Sequence, residues 1–161
     1  MDDKLVFGLT FFTVLGTGLM AGLFFVFSVF MMRALGALPG GQGAAAMQST
    51  NRAIVTPLFL LAFVGTAITC LVLAGFAIFD VDGDARVWLL VGSALYLVGV
   101  IVLTGTYHVP RNDALDAVDP DSADGLALWA DYLKSWTALN HVRTVASLAA
   151  LGSFVMAIRA G

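Results

Sequence analysis

A chain of 161 residues that is 60% hydrophobic and only 12% charged lies far from ordinary soluble domains, which are about 45–50% apolar and about 25% charged. With a mean hydropathy of +0.93 it reads as an integral membrane protein. Its net charge of −3, from eleven Asp and no Glu against eight Lys and Arg, argues against a nucleic-acid partner, which calls for a basic face. The one cysteine, Cys70, allows no intrachain disulfide.

Between Lys4 and Arg33 lie 28 uncharged residues, more than the roughly 20 that cross a bilayer core, so a first span is predicted over about 5–32. It is too long for a signal-peptide core and is expected to be retained. Gly18 and Gly22 form a small-xxx-small pair suited to close helix packing. Phe25, Ser28 and Met32 share a helical face with Ala21 and could line a pocket. Pro39, Gly40, Gly41 and Gly43 then break the helix, which is expected to resume from Ala44. There Met47, Gln48 and Asn51 stand at i, i+1 and i+4, either as a polar helix start or as part of a site. A second span is predicted over 53–79, with Pro57 early enough to be tolerated and Ala62, Gly65 and Thr69 as its small face. Asp80, Asp82 and Asp84 lack the bidentate acid that closes a calcium loop and read as a solvated turn.

The third predicted span covers 87–107. Gly92, Tyr96, Gly99, Leu103 and Thr106 recur at i, i+4, i+7, i+11 and i+14, a seam facing other helices. Pro110 is expected to push Val109 out of the helical region and end the span. After a turn and cap at Asp119-Pro120-Asp121-Ser122, the spacing of Leu126, Trp129, Tyr132, Leu133 and Trp136 predicts an amphipathic helix. Its aromatics suit a membrane interface, and the helix is expected to lie across the bundle mouth over about 122–135 and to feed straight into the fourth span. A fourth span follows over 137–158. The expected fold is thus all-α: one domain over 1–161, a four-helix transmembrane bundle with an interfacial helix between the third and fourth spans.

The head of the fourth span is the least apolar part of any of them. Trp136, Asn140, Arg143 and Ser147 fall on one stripe, with Thr144 beside it and His141 about 100° away. An ionisable group in a membrane segment is expensive and reads as functional, with a partner expected nearby. Gln48, Asn51, His108, Arg111 and Asn112 are predicted at the same side of the membrane, which places a candidate site there; the alternative is a structural polar plug. Four basic residues on that side (Arg33, Arg52, Arg111, Lys134) against three on the other (Lys4, Arg86, Arg159) orient it toward the cytoplasm of a cell-membrane protein.

Gly-Leu-Met-Ala-Gly-Leu-Phe-Phe-Val-Phe-Ser (18–28), Met47-Gln48 with Asn51, V-P-x-N at 109–112 and W-x-x-x-N-H-x-R at 136–143 together resemble the anthrone oxygenase family of small four-helix membrane proteins. The resemblance implies oxidation of a hydrophobic aromatic substrate, an anthrone, to a quinone by O₂ without cofactor. It departs from the family pattern at His108, where Asn is common. On this reading His141 is the expected base, with Arg143 and Asn140 as oxyanion donors. Trp136, Gln48, Asn51, Asn112, Tyr96 and Phe25 would bind or position the substrate. Two other readings stay open. One is a redox protein holding iron, copper or haem through His108 and His141, with Asp113 completing the set. The other is a non-catalytic binder or assembly factor for hydrophobic ligands. A homo-oligomer is compatible with each.

Overall fold

The computed structural model describes residues 3–161, and among them every regular element is helical. Four helices are long and apolar enough to cross a membrane: α1 (Lys4–Gly36), α3 (Pro57–Phe79), α4 (Gly83–Asp116) and α5 (Ala123–Ala160). A shorter helix, α2 (Gln42–Ala53), lies between the first two of these. Both α1 and α4 pack against α3 and α5, which closes the ring α1–α3–α4–α5. The four-helix membrane bundle expected from hydropathy is therefore the fold.

Glycine permits the tightest crossings, though not at the predicted pair. A Cβ on Gly16 would lie 1.9 Å from Thr66 Oγ1 and one on Gly99 would lie 2.5 Å from Ala146 Cβ, whereas one on Gly22 would meet nothing within 4 Å. Between the helices sits a core of Met20, Cys70, Leu73, Leu89, Tyr96, Val100 and Phe154. The Asp80, Asp82 and Asp84 turn is exposed, as expected.

Three departures from the expected elements shape the site. The helix expected over about 122–135 does feed straight into the fourth span but does not lie across the mouth, for α5 runs unbroken through 38 residues, about 57 Å at 1.5 Å per residue. Its first turns pack against α2 and the end of α4. Trp129, Tyr132 and Trp136 are buried against Met32, Ala44, Met47 and Leu115 instead of facing headgroups. Pro110 does not end the third span either. A π-helical segment, Thr104–His108, precedes it, Val109 keeps helical φ and ψ of −60° and −53°, and the helix continues to Asp116. The wider turn moves the preceding carbonyls out of the path of the proline ring. Finally α3, begun by Pro57 and capped by Thr56, has 23 residues against 33, 34 and 38 for the other spans. Its missing turns leave space at one end of the ring, which α2 covers.

π-helical turns also set which side chains face inward. One occupies Phe27–Met31 in α1, and α4 holds Leu97–Val102 and Thr104–His108. A π turn takes more residues than an α turn, so inward positions across it recur every four residues. In α4 they are Tyr96, Val100, Thr104, His108 and Asn112; in α1, Met20, Phe24, Ser28 and Met32. Thr106, predicted inward by α-helical spacing, is exposed.

Candidate functional site

The space left by the short α3 is a cavity of about 290 Å³, at the small end of the roughly 300–1,000 Å³ usual for small-molecule sites. Phe24 and Phe27 of α1, Met47 and Asn51 of α2, Phe59 and Phe63 of α3, Thr104, His108 and Asn112 of α4, and Trp136 and Arg143 of α5 line it.

Arg143 is 5% exposed, and none of the described ion pairs includes it; those pairs, Arg52–Asp116 and Arg111–Asp131, lie at the surface. Instead Nη2 donates to Asn140 Oδ1 at 2.7 Å and Nη1 to Thr104 Oγ1 at 3.3 Å. The guanidinium stacks 4.4 Å from the Phe24 ring centroid and 5.0 Å from that of Trp136. Its Nε is buried without a hydrogen-bond partner. Asn140 is held in turn, with Nδ2 donating to the Phe24 carbonyl at 2.8 Å and to Ser28 Oγ at 2.7 Å. Ser28 also pairs with Thr144, 2.9 Å away. Arg143 is thus a cation positioned by neutral groups and aromatic faces, with its Nε left without a partner.

His108 is 1% exposed, edge-on to Trp136 at 5.2 Å and 83°. Its Nδ1 lies 3.3 Å from the Leu103 carbonyl. A carbonyl only accepts, so this contact puts the proton on Nδ1 and leaves the lone pair on Nε2. Nε2 is buried and unpartnered. Asn51 adds a third such group, its buried Nδ2. Asn112 accepts on Oδ1 from Tyr132 Oη at 2.7 Å and from Trp136 Nε1 at 3.0 Å. Those two donors fix the orientation of its amide.

The other residues marked in the sequence go elsewhere. His141 was expected with Asn140 and Arg143, but its ring lies on the outer surface. There it borders a separate groove of about 790 Å³ between α4 and α5, with Val98, Gly99, Val142 and Val145. The cause is the 100° step that separates it from the stripe along an uninterrupted helix. His108, His141 and Asp113 are not gathered, and among the described residues no three His, Cys, Asp or Glu group in metal-binding fashion. Phe25 is 50% exposed while Phe24 faces the cavity, because the π turn aligns Ser28 with the residue four before it. Tyr96 is buried deeper in the core and donates to the Phe63 carbonyl at 3.1 Å. Sequence reasoning missed Phe24 and Thr104 and gave His108 only a secondary part; the four-residue spacing from Tyr96 to Asn112 is the signal that marks the last two.

Gln48 is a clamp. Its Nε2 donates to the carbonyls of Leu115 at 2.8 Å and Val118 at 3.0 Å, fastening α2 to the end of α4. Gln48→Leu should leave both carbonyls without this donor, at about 1–3 kcal/mol for a buried orphan. A clear fall in melting temperature is expected; an unchanged melt would show that α2 is held by apolar packing alone.

A bundle of four helices long enough to cross a membrane, enclosing an apolar cavity with a buried arginine and a half-partnered imidazole in its wall, defines a multi-pass membrane protein with a candidate small-molecule site. The family profile described as anthrone oxygenase matches residues 58–153, more than half of the chain, and the protein belongs to that family. The match includes α3 from its second residue, all of α4 and the part of α5 carrying Trp136, Asn140 and Arg143. No curated protein and no solved structure matches the chain.

Proposed function

We propose that the protein is a membrane-embedded oxygenase that converts an anthrone-like polycyclic phenol to its quinone with O₂ and no metal or organic cofactor. The observation supporting this is that Asn51, His108 and Arg143, each with a buried side-chain nitrogen that has no hydrogen-bond partner (Nδ2, Nε2 and Nε), all line one apolar cavity. Buried polar groups are ordinarily paired, so such a set suits a ligand that brings its own partners. Two donors and one lone pair complement a flat molecule with a carbonyl oxygen and an acidic C–H.

On this reading Phe24, Phe27, Met47 and Trp136 grip the rings. His108 Nε2 takes a proton from the central methylene, and the charge moves onto the carbonyl oxygen, where Arg143 and Asn51 stabilise it. The electron-rich anion passes one electron to O₂, and the resulting radical and superoxide join to form a C–O bond. The peroxide takes up a proton; loss of the second methylene hydrogen with O–O cleavage then releases water and leaves the new carbonyl. One O₂ is consumed, with one oxygen atom in the quinone and one in water. Asn140 positions Arg143 and Asn112 positions Trp136; neither needs to touch substrate.

The test is oxygen uptake with anthrone by the purified protein in nanodiscs, with metal and haem measured on the same sample. Uptake of one O₂ per quinone by metal-free protein is expected. Binding without uptake would favour a non-catalytic carrier, and iron, copper or haem required for turnover would overturn the cofactor-free chemistry. The site end is proposed to face the cytoplasm of the cell membrane. An Asp121→Cys variant should then react with an impermeant maleimide only after the cells are permeabilised.

A further inference from the structure

The two sides of the cavity are built differently. Toward water it is sealed by Met32, Met47, Leu115, Trp129, Tyr132 and Trp136, all buried. The Gln48 clamp and a 3.0 Å bond from the Gly41 amide to Asp121 tie that cap together. There is no slack in it, since a Cβ on Gly43 would lie 2.2 Å from the Leu35 carbonyl and 3.0 Å from Trp129 Nε1.

Toward the bilayer the most exposed lining residues are all aliphatic. Val55, Leu60, Val64 and Val109 all line the cavity and yet are 63%, 43%, 43% and 45% exposed. Leu60 and Val64 lie in the first two turns of α3, and Leu58 and Leu61 beside them are barer still. Such a patch would be a liability in water but is at ease among acyl chains. An apolar molecule crossing it desolvates no polar group.

We propose that the cavity loads sideways from the bilayer, through the gap between the start of α3 and the walls formed by α1 and α4, and that its ligands are flat hydrophobic molecules already dissolved in the membrane. This deepens the oxidation reading by naming the source of its substrate, and the portal itself rests on geometry alone.

The test uses an aryl diazirine dissolved in the lipid of proteoliposomes, with labelled residues identified by mass spectrometry after a flash. In the wild-type protein, a flash soon after addition should label Phe24 and Trp136 in the cavity as well as lipid-facing Leu58 and Leu61. Val64→Phe and Leu60→Phe narrow the portal. Each should reduce early cavity labelling at least tenfold, leave Leu58 and Leu61 unaffected, and recover cavity labelling after long incubation. Gln48→Leu, which loosens the water-side cap, should change nothing at early times. Any other pattern overturns the portal, whether an unlabelled wild-type cavity, plugged variants that load as fast as wild type, or loading accelerated by Gln48→Leu. A cavity labelled in this way in a protein that takes up no O₂ with anthrone would sink the oxidation reading and leave the portal standing.

Discussion

His108→Gln is expected to lower anthrone turnover by about 10²–10⁴-fold, the usual contribution of a positioned general base, while the bundle melts near the wild-type temperature. Gln can keep a donor toward the Leu103 carbonyl, where Nδ1 now sits at 3.3 Å, but has no basic nitrogen. The residual rate should rise with pH, as hydroxide takes over deprotonation of the substrate. His141→Gln is the matched control. Its ring borders the outer groove and not the cavity, so turnover should stay within twofold of wild type. Oxygen uptake read beside thermal melting decides the matter. Full activity in His108→Gln with loss in His141→Gln would reverse the two roles and require the outer groove to be the site.

Arg143→Met should lose on the order of 10²–10³ in kcat, the usual effect of removing one oxyanion donor. Stability alone cannot separate a catalytic arginine from a structural plug. Removing a buried charge relieves a desolvation penalty of several kcal/mol, while the acceptors left behind at Asn140 and Thr104 cost about 1–3 kcal/mol each. The net change is small or stabilising on either reading, so turnover must decide. Arg143→Lys should fail nearly as badly. An ammonium lacks the planar fork that here bonds Asn140 and Thr104 while stacking on Phe24 and Trp136. If Arg143→Met melts at or above the wild-type temperature with full kcat, the arginine is a plug and the oxyanion role is lost.

Much of this protein follows from local composition, because a bilayer demands long apolar helices whatever their neighbours are. Four long apolar runs determine four spans, and the polar residues of the loops and helix ends mark the end of the bundle where the candidate site lies. The stripe on α5 was legible residue by residue. That helix is unbroken, so 3.6-residue arithmetic put Trp136, Asn140, Arg143 and Ser147 on one face, and that face is buried; the same 100° step carries His141, expected at the site, away from it. The same arithmetic failed in α1 and α4, where π turns advance the phase. It favoured Phe25 over Phe24 and Thr106 over His108. A π turn is held by tertiary contacts and has no composition of its own, so nothing within those segments announces it. Tertiary structure alone also decided that α3 stops short and that α2 folds over the gap. The first turns of α5 became a wall of the bundle instead of a surface helix because α2 and the end of α4 offered them an apolar partner. The cavity is the volume left where helices of unequal length meet, which no single segment of the sequence encodes.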